Sequence, residues 1–191
     1  MMQKMLFSGL LVFTALTSGF AQGKFFSREG HIFFDATSNR SLEVIEAHNR
    51  AVSSVIDLAT GQMEFAALIK SFRFERALME EHFNENYLES AKYPKAVFKG
   101  KIADLKTVNL AKDGSYPVKI TGELTMHGET KPLTVDASLT VKAGKITLGK
   151  SSFNLTLADY KIKIPSLVSD KVASVVKVTV DVPYQLLSDS K

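Results

Sequence analysis

A chain of 191 residues, 45% of them hydrophobic, carries enough apolar side chain to build one sizeable core. It has no cysteine, which excludes disulfide cross-links, thiol chemistry and a lipid-modified cysteine anchor. Lys and Arg number 24 against 20 Asp and Glu, a net charge of +4; the signs are mixed, with no Arg-rich stripe or aromatic-interleaved basic run, so nucleic acid is not an expected partner.

The first residues have a character of their own. Lys4 precedes an uncharged run, Met5 to Thr17, that includes Leu6, Phe7, Leu10, Leu11, Val12, Phe13 and Leu16. Gly19 and Ala21 then supply small residues at the −3 and −1 positions of a cleavage site. This pattern predicts a cleavable secretory signal peptide over residues 1–21. The apolar run is too short to cross about 30 Å of hydrocarbon comfortably. The expected product is residues 22–191, one soluble domain, periplasmic or secreted.

Strands are expected next, over 30–36, 42–48, 51–58 and 62–74. Residues 77–89 interrupt them with the one helical pattern. Leu78, Met79, Phe83 and Tyr87 fall close to one face; Glu80, Glu81, Asn84 and Glu85 lie mostly on the other. The pattern stops near Glu89, and Tyr93-Pro94 punctuates the chain. Strands resume over 96–106, 116–126, 132–142, 146–158 and 172–186, and the segment from Tyr160 admits a short strand ending at Pro165.

Alternation is strict in the second half. Val118, Ile120, Leu124 and Met126 oppose Lys119, Thr121, Glu123 and Thr125. Leu133, Val135, Ala137, Leu139 and Val141 oppose Thr134, Asp136, Ser138, Thr140 and Lys142. Val176, Val178, Val180, Val182 and Tyr184 oppose Lys177, Thr179 and Asp181. A period of two with one dry and one wet face is the signature of an antiparallel sheet. Turns at 59–61, 112–115, 127–130 and 143–145 make it a meander. So many long strands avoid open edges by closing, and a barrel of about eight either fills with side chains or holds one small ligand. The fold class is therefore all-β, mainly antiparallel: an extended eight-stranded barrel with one short α-helix near 77–89, placed as a lid or plug.

Chemistry-bearing residues are sparse. His82 sits beside Glu81 and within a turn of Glu85, but no nucleophile or oxyanion site accompanies it. The histidines, at 31, 48, 82 and 127, show no metal-ligand spacing. No Gly-rich phosphate loop or G-x-S-x-G elbow is present. Neither an enzyme, a metal site nor a cofactor is expected. Alternation alone fits a filled barrel, a hollow one, or an outer-membrane barrel with its apolar face outward.

Two blocks carry a resemblance. The first is Glu81-His82-Phe83, Tyr87-Leu88 and Lys92-Tyr93-Pro94-Lys95-Ala96-Val97-Phe98. The second is Gly122-Glu-Leu-Thr-Met-His127-Gly-Glu-Thr-Lys131, followed later by Leu157-Ala-Asp159-Tyr160. Together they resemble the YceI-like family of exported lipid-binding proteins, with its Arg-Asp-x-His-Leu helix, its Tyr-Pro-x-x-x-Phe strand entry and its Gly-x-Leu-Thr-hydrophobic-His-Gly-x-Thr-Lys hairpin. The helix Arg-Asp pair stands here as Met79-Glu80. The resemblance implies a lipocalin-like barrel that sequesters a long isoprenoid or fatty-acid-like chain, for carriage, storage or stress protection, without a cofactor. It leaves open whether the protein is a homodimer. The apolar cavity would be lined by Phe98, Ile102, Ile120, Leu124, Met126, Leu133, Val135, Leu139, Phe153, Leu155, Val176, Val178 and Val180. Met79, His82, Phe83, Tyr87 and His127 hold the lid and motif positions.

Overall fold

A computed structural model describes residues 23–187. The signal segment 1–21 lies outside the described residues. Ten strands form one antiparallel sheet: β1 Lys24–Thr37, β2 Glu46–Asp57, β3 Gln62–Leu68, β4 Phe72–Phe74, β5 Lys95–Ile102, β6 Gly114–Met126, β7 Glu129–Lys142, β8 Lys145–Thr156, β9 Val172–Pro183 and β10 Gln185–Leu186. Hydrogen bonding runs β1-β9-β8-β7-β6-β5-β3-β2, and β2 pairs back to β1, so eight strands close a barrel. The short β4 and β10 attach to β2 and β1. Closure removes the unpaired edge that so many strands would otherwise expose.

The period-two pattern explains which way each strand faces. Val118, Ile120 and Leu124 are buried, whereas Lys119, Thr121 and Glu123 between them are exposed. On the outer wall the charges pair across strands: Lys119–Asp136 at 2.6 Å, Lys150–Asp181 at 2.9 Å and Lys99–Glu64 at 3.6 Å, all between directly opposed residues. Each such pair adds only tenths of a kcal/mol, and it favours the register in which its two residues stand opposite.

The first half of the barrel departs from the expected boundaries. The strands expected at 42–48 and 51–58 are one strand, β2, and Leu42 and Val44 stand exposed in the loop before it. A bulge at Arg50-Ala51, both exposed, switches the parity of the inward positions and hides this continuity in the sequence. Asn49, a polar residue on the inward face, adds to the break. It is fully buried, its side-chain amide donates to the Leu68 carbonyl (2.8 Å), and its Oδ1 accepts from the Ala51 amide (2.8 Å). The strand expected at 62–74 is split by a 3-10 turn, Ile69–Ser71. No strand forms at 160–165: Leu157–Tyr160 is a 3-10 turn that ends with Lys161 in the left-handed region, and an irregular segment follows to a second turn at Ser166–Val168.

The helix, α1, spans Ala77–His82 and continues as one π-turn, Phe83–Tyr87, in which the Leu88 amide donates to the Phe83 carbonyl. Glu89, at φ +43°, ends it.

Candidate functional site

The inward side chains of the barrel divide into two halves. At one end Phe25, Ile56, Leu58, Ile102, Val118, Leu139, Val141, Ile146 and Val182 are all buried. Tyr184 completes this plug. Its hydroxyl lies 2.7 Å from the Ser54 hydroxyl, which also donates to the Glu64 carbonyl, and burial holds the phenol protonated far above its ordinary range. Ile102 and Leu139, expected in the cavity wall, belong to this plug. They follow the right alternation, but alternation fixes the face of a strand and not the depth along it.

Towards the other end the barrel is hollow. A cavity of about 520 Å³ is lined from β1 by Ile32 and Phe34, from β3 by Met63 and Phe65, and from β4 by Phe72 and Phe74. Phe98, Ile120, Leu124, Met126, Leu133 and Val135 line it from β5 to β7, and Phe153, Leu155, Val176, Val178 and Val180 from β8 and β9. Eleven of the thirteen expected wall residues thus meet around one space. A volume within the roughly 300–1,000 Å³ of small-molecule sites makes the space large enough for a ligand rather than a packing defect.

The helix lies at this cavity. Leu78, Met79, His82, Phe83, Tyr87 and Leu88 all face it. Phe83 anchors the segment in a cluster with Phe34, Phe72 and Phe74, its ring centroid 5.1–5.5 Å from theirs, spacing suited to tilted and offset ring contacts. Glu80 fastens the first turn. Its carboxylate pairs with Arg73 at 2.9 Å and accepts from the Phe74 amide at 3.2 Å, both on β4. Position 80 thus keeps an acidic partner although the family's helix arginine is Met79 here. Burial pushes the Tyr87 hydroxyl above its ordinary range.

His127 does not line the cavity. With Gly128 it makes the two-residue turn between β6 and β7, both at positive φ (52° and 78°), the conformation that favours Gly at the second place. Its Nδ1 donates to the Tyr160 carbonyl (2.8 Å), its Nε2 lies 3.4 Å from Glu89 Oε2, and the Tyr93 ring meets it edge-on. The turn, the helix end and the 157–160 turn are thereby joined at one histidine.

The cavity mouth is built by α1, the loop 38–45 and the segment before β9. Three charged side chains reach its lining: Glu43, Arg76 and Lys171. Arg76 Nη1 donates to Glu43 Oε1, and Lys171 Nζ stands 3.6 Å from Glu43 Oε2. Leu42, Leu78 and Leu167 are exposed on the same three segments. Apart from Leu78, which belongs to the helical pattern, none of these residues, nor Phe34, Phe72 and Phe74, stood out in the sequence. Ile32-Phe33-Phe34 blurs the alternation of β1 with an outward Phe, and the charged residues lie at or just outside the ends of regular elements. Among the described residues, no group of three His, Asp or Glu side chains is arranged to hold a metal ion, and no helix is long and apolar enough to cross a membrane.

This architecture has known counterparts. The polyisoprenoid binding domain from Saccharophagus degradans, implicated in plant cell wall breakdown, superposes with a TM-score of 0.72 at 14% identity, over 86% of this chain and 99% of that one. BcnA of Burkholderia cenocepacia gives 0.63 at 14% identity, over 82% and 96%. The Campylobacter jejuni YceI protein gives 0.54 at 18% identity, over 78% and 88%. At such identities the likeness speaks for the fold. In sequence, the UPF0312 protein VPA0850 of Vibrio parahaemolyticus is 32% identical over 85 residues, 41% of either chain. The family model of the YceI-like domain matches residues 13–184, through the strands that wall the cavity and the helix beside it, and the chain therefore belongs to the YceI-like family.

Proposed function

We propose that the protein takes up the chain of a long apolar lipid, isoprenoid or fatty-acid-like, in the hollow half of the barrel and carries or stores it. The observation that bears this reading is the half-hollow interior: the inward side chains that fill the plug end leave a space of about 520 Å³ at the helix end. Each methylene moved from water into such a wall gains about 0.8 kcal/mol before ordering costs, so a long chain collects several kcal/mol. The proposed lining is the eleven wall residues that meet there, with Met79, Phe83 and Tyr87 above them. The binding role named for the Saccharophagus relative supports the same reading.

The paired charges on the outer wall support a barrel that faces water rather than lipid. The pattern of residues 1–21 supports export, with residues 22–191 as the working domain. The chemistry proposed is binding without turnover.

Native mass spectrometry of protein recovered from its own cell envelope, without detergent, tests the proposal. The expected spectrum contains a complex that solvent extraction converts to the bare chain. A protein that emerges bare and binds no acyl or prenyl probe at micromolar concentration overturns it.

A further inference from the structure

The mouth of the cavity carries an ion cluster that the interior gives no reason to expect. Its wall is almost wholly apolar, yet three charged groups from separate segments converge at the opening: Glu43 from the loop 38–45, Arg76 at the start of α1, and Lys171 just before β9. They are not equally engaged. Arg76 donates a hydrogen bond to Glu43. Lys171 Nζ, at 3.6 Å from the same carboxylate, is within ion-pair range but beyond a hydrogen bond. Its ammonium therefore keeps donor capacity, on a side chain half exposed at the rim. Two cations against one anion leave the lining with a formal charge of +1, His82 being counted neutral.

We propose that this cluster is a head-group site and that the bound lipid ends in a carboxylate. The proposal rests on the lipid-binding reading above. A single-charged head balances the surplus of +1, where a phosphate monoester would overshoot it. Glu43 already shows that a carboxylate can sit between the two cations. A ligand carboxylate approaching from the chain side would take up the free donors of Lys171 and leave the Arg76–Glu43 bond in place. Charge-assisted bonds of this kind are the strong ones, and the apolar wall beneath limits competition from water.

The test uses the delipidated full chain and displacement of a fluorescent acyl probe by hexadecanoic acid, hexadecan-1-ol and methyl hexadecanoate. The acid is expected to bind about tenfold more tightly than the alcohol or ester at low salt, a preference that shrinks as salt is raised. In K171M the acid-to-alcohol ratio should fall towards one, and K171R should restore it. In E43Q, which frees both cations, the ratio should rise. Equal binding of acid, alcohol and ester to the wild-type chain overturns the head-group site while leaving the cavity reading intact. So does a K171M ratio equal to wild type. Failure of the acyl probe and all three competitors to bind removes the cavity reading and the head-group site with it.

Discussion

Gly100 and Gly122 face each other across β5 and β6, on the inward side where their neighbours are Phe98, Ile102, Ile120 and Leu124. A Cβ on Gly122 would lie 2.3 Å from the Lys99 carbonyl oxygen, 2.4 Å from Gly100 Cα and 2.8 Å from the Phe98 ring. The two glycines let the strands approach closely and let that ring lie over them. Gly122→Ala should therefore force backbone movement and cost about 1–3 kcal/mol, read as a lower urea midpoint; an unchanged midpoint would contradict this packing. On the outer wall, His31 Nε2 lies 3.0 Å from His48 Nδ1, with the rings stacked. Desolvation lowers the His31 value below the ordinary 6.5, Arg50 and His48 add to the effect, and Asp181 opposes it. Between the folded value and 6.5 the unfolded chain then binds more protons than the folded one, so stability falls as pH drops through that window. Urea midpoints should decline below about pH 6.5 less steeply in His31→Gln than in the wild type. Parallel declines would assign the acid sensitivity elsewhere.

At the scale of elements, the helix and the turn between β6 and β7 were legible because local rules spell them out. Apolar residues on one helical face predicted 77–89, and His127-Gly128 between two alternating runs predicted a hairpin. The π-turn was not legible, since the one-residue shift of its Leu88–Phe83 hydrogen bond leaves no mark on the apolar pattern of the helix. Nor was β2, whose inward positions change parity at the bulge over Arg50-Ala51 and include Asn49, a polar residue whose amide the Leu68 carbonyl satisfies. Cavity depth was illegible for the same reason as Ile102 and Leu139: a period of two carries no information about position along the barrel axis. The attachment of α1 can be tested separately from the fold. Glu80→Ala removes the Arg73 pair and the acceptor for the Phe74 amide. Exposed pairs contribute up to about 1 kcal/mol, so amide exchange over 77–88 should speed up about two- to fivefold while exchange in β6 and β7 stays unchanged. Phe83→Ala should loosen the same segment further, because it deletes the ring shared by three partners. Exchange that rises equally throughout the barrel would mean the helix is not an independent unit.

For the molecule as a whole, a plug end packed solid and a mouth end left hollow predict two different responses to the same substitution. Leu139 is buried in the plug, only 2% exposed, and belongs to the barrel's apolar core. Leu139→Ala should cost about 2–5 kcal/mol, the transfer loss plus a new cavity. Leu124, though nearly as buried at 8%, faces the existing space. Its side chain already lacks partners on one side, so its removal forfeits fewer dispersion contacts, and Leu124→Ala should cost less than Leu139→Ala in the empty protein. The response to ligand runs the other way. Binding stabilises the folded chain by RT ln(1 + [L]/Kd), about 2.7 kcal/mol at a hundredfold excess over Kd, and that gain requires an intact wall. With hexadecanoic acid present, wild type and Leu139→Ala should therefore show equal increments in unfolding free energy, and Leu124→Ala a smaller one. The comparison separates wall from plug without a structure of the complex. Equal increments in both variants would show that the chain does not lie against Leu124, and an increment lost only in Leu139→Ala would place the ligand at the opposite end of the barrel.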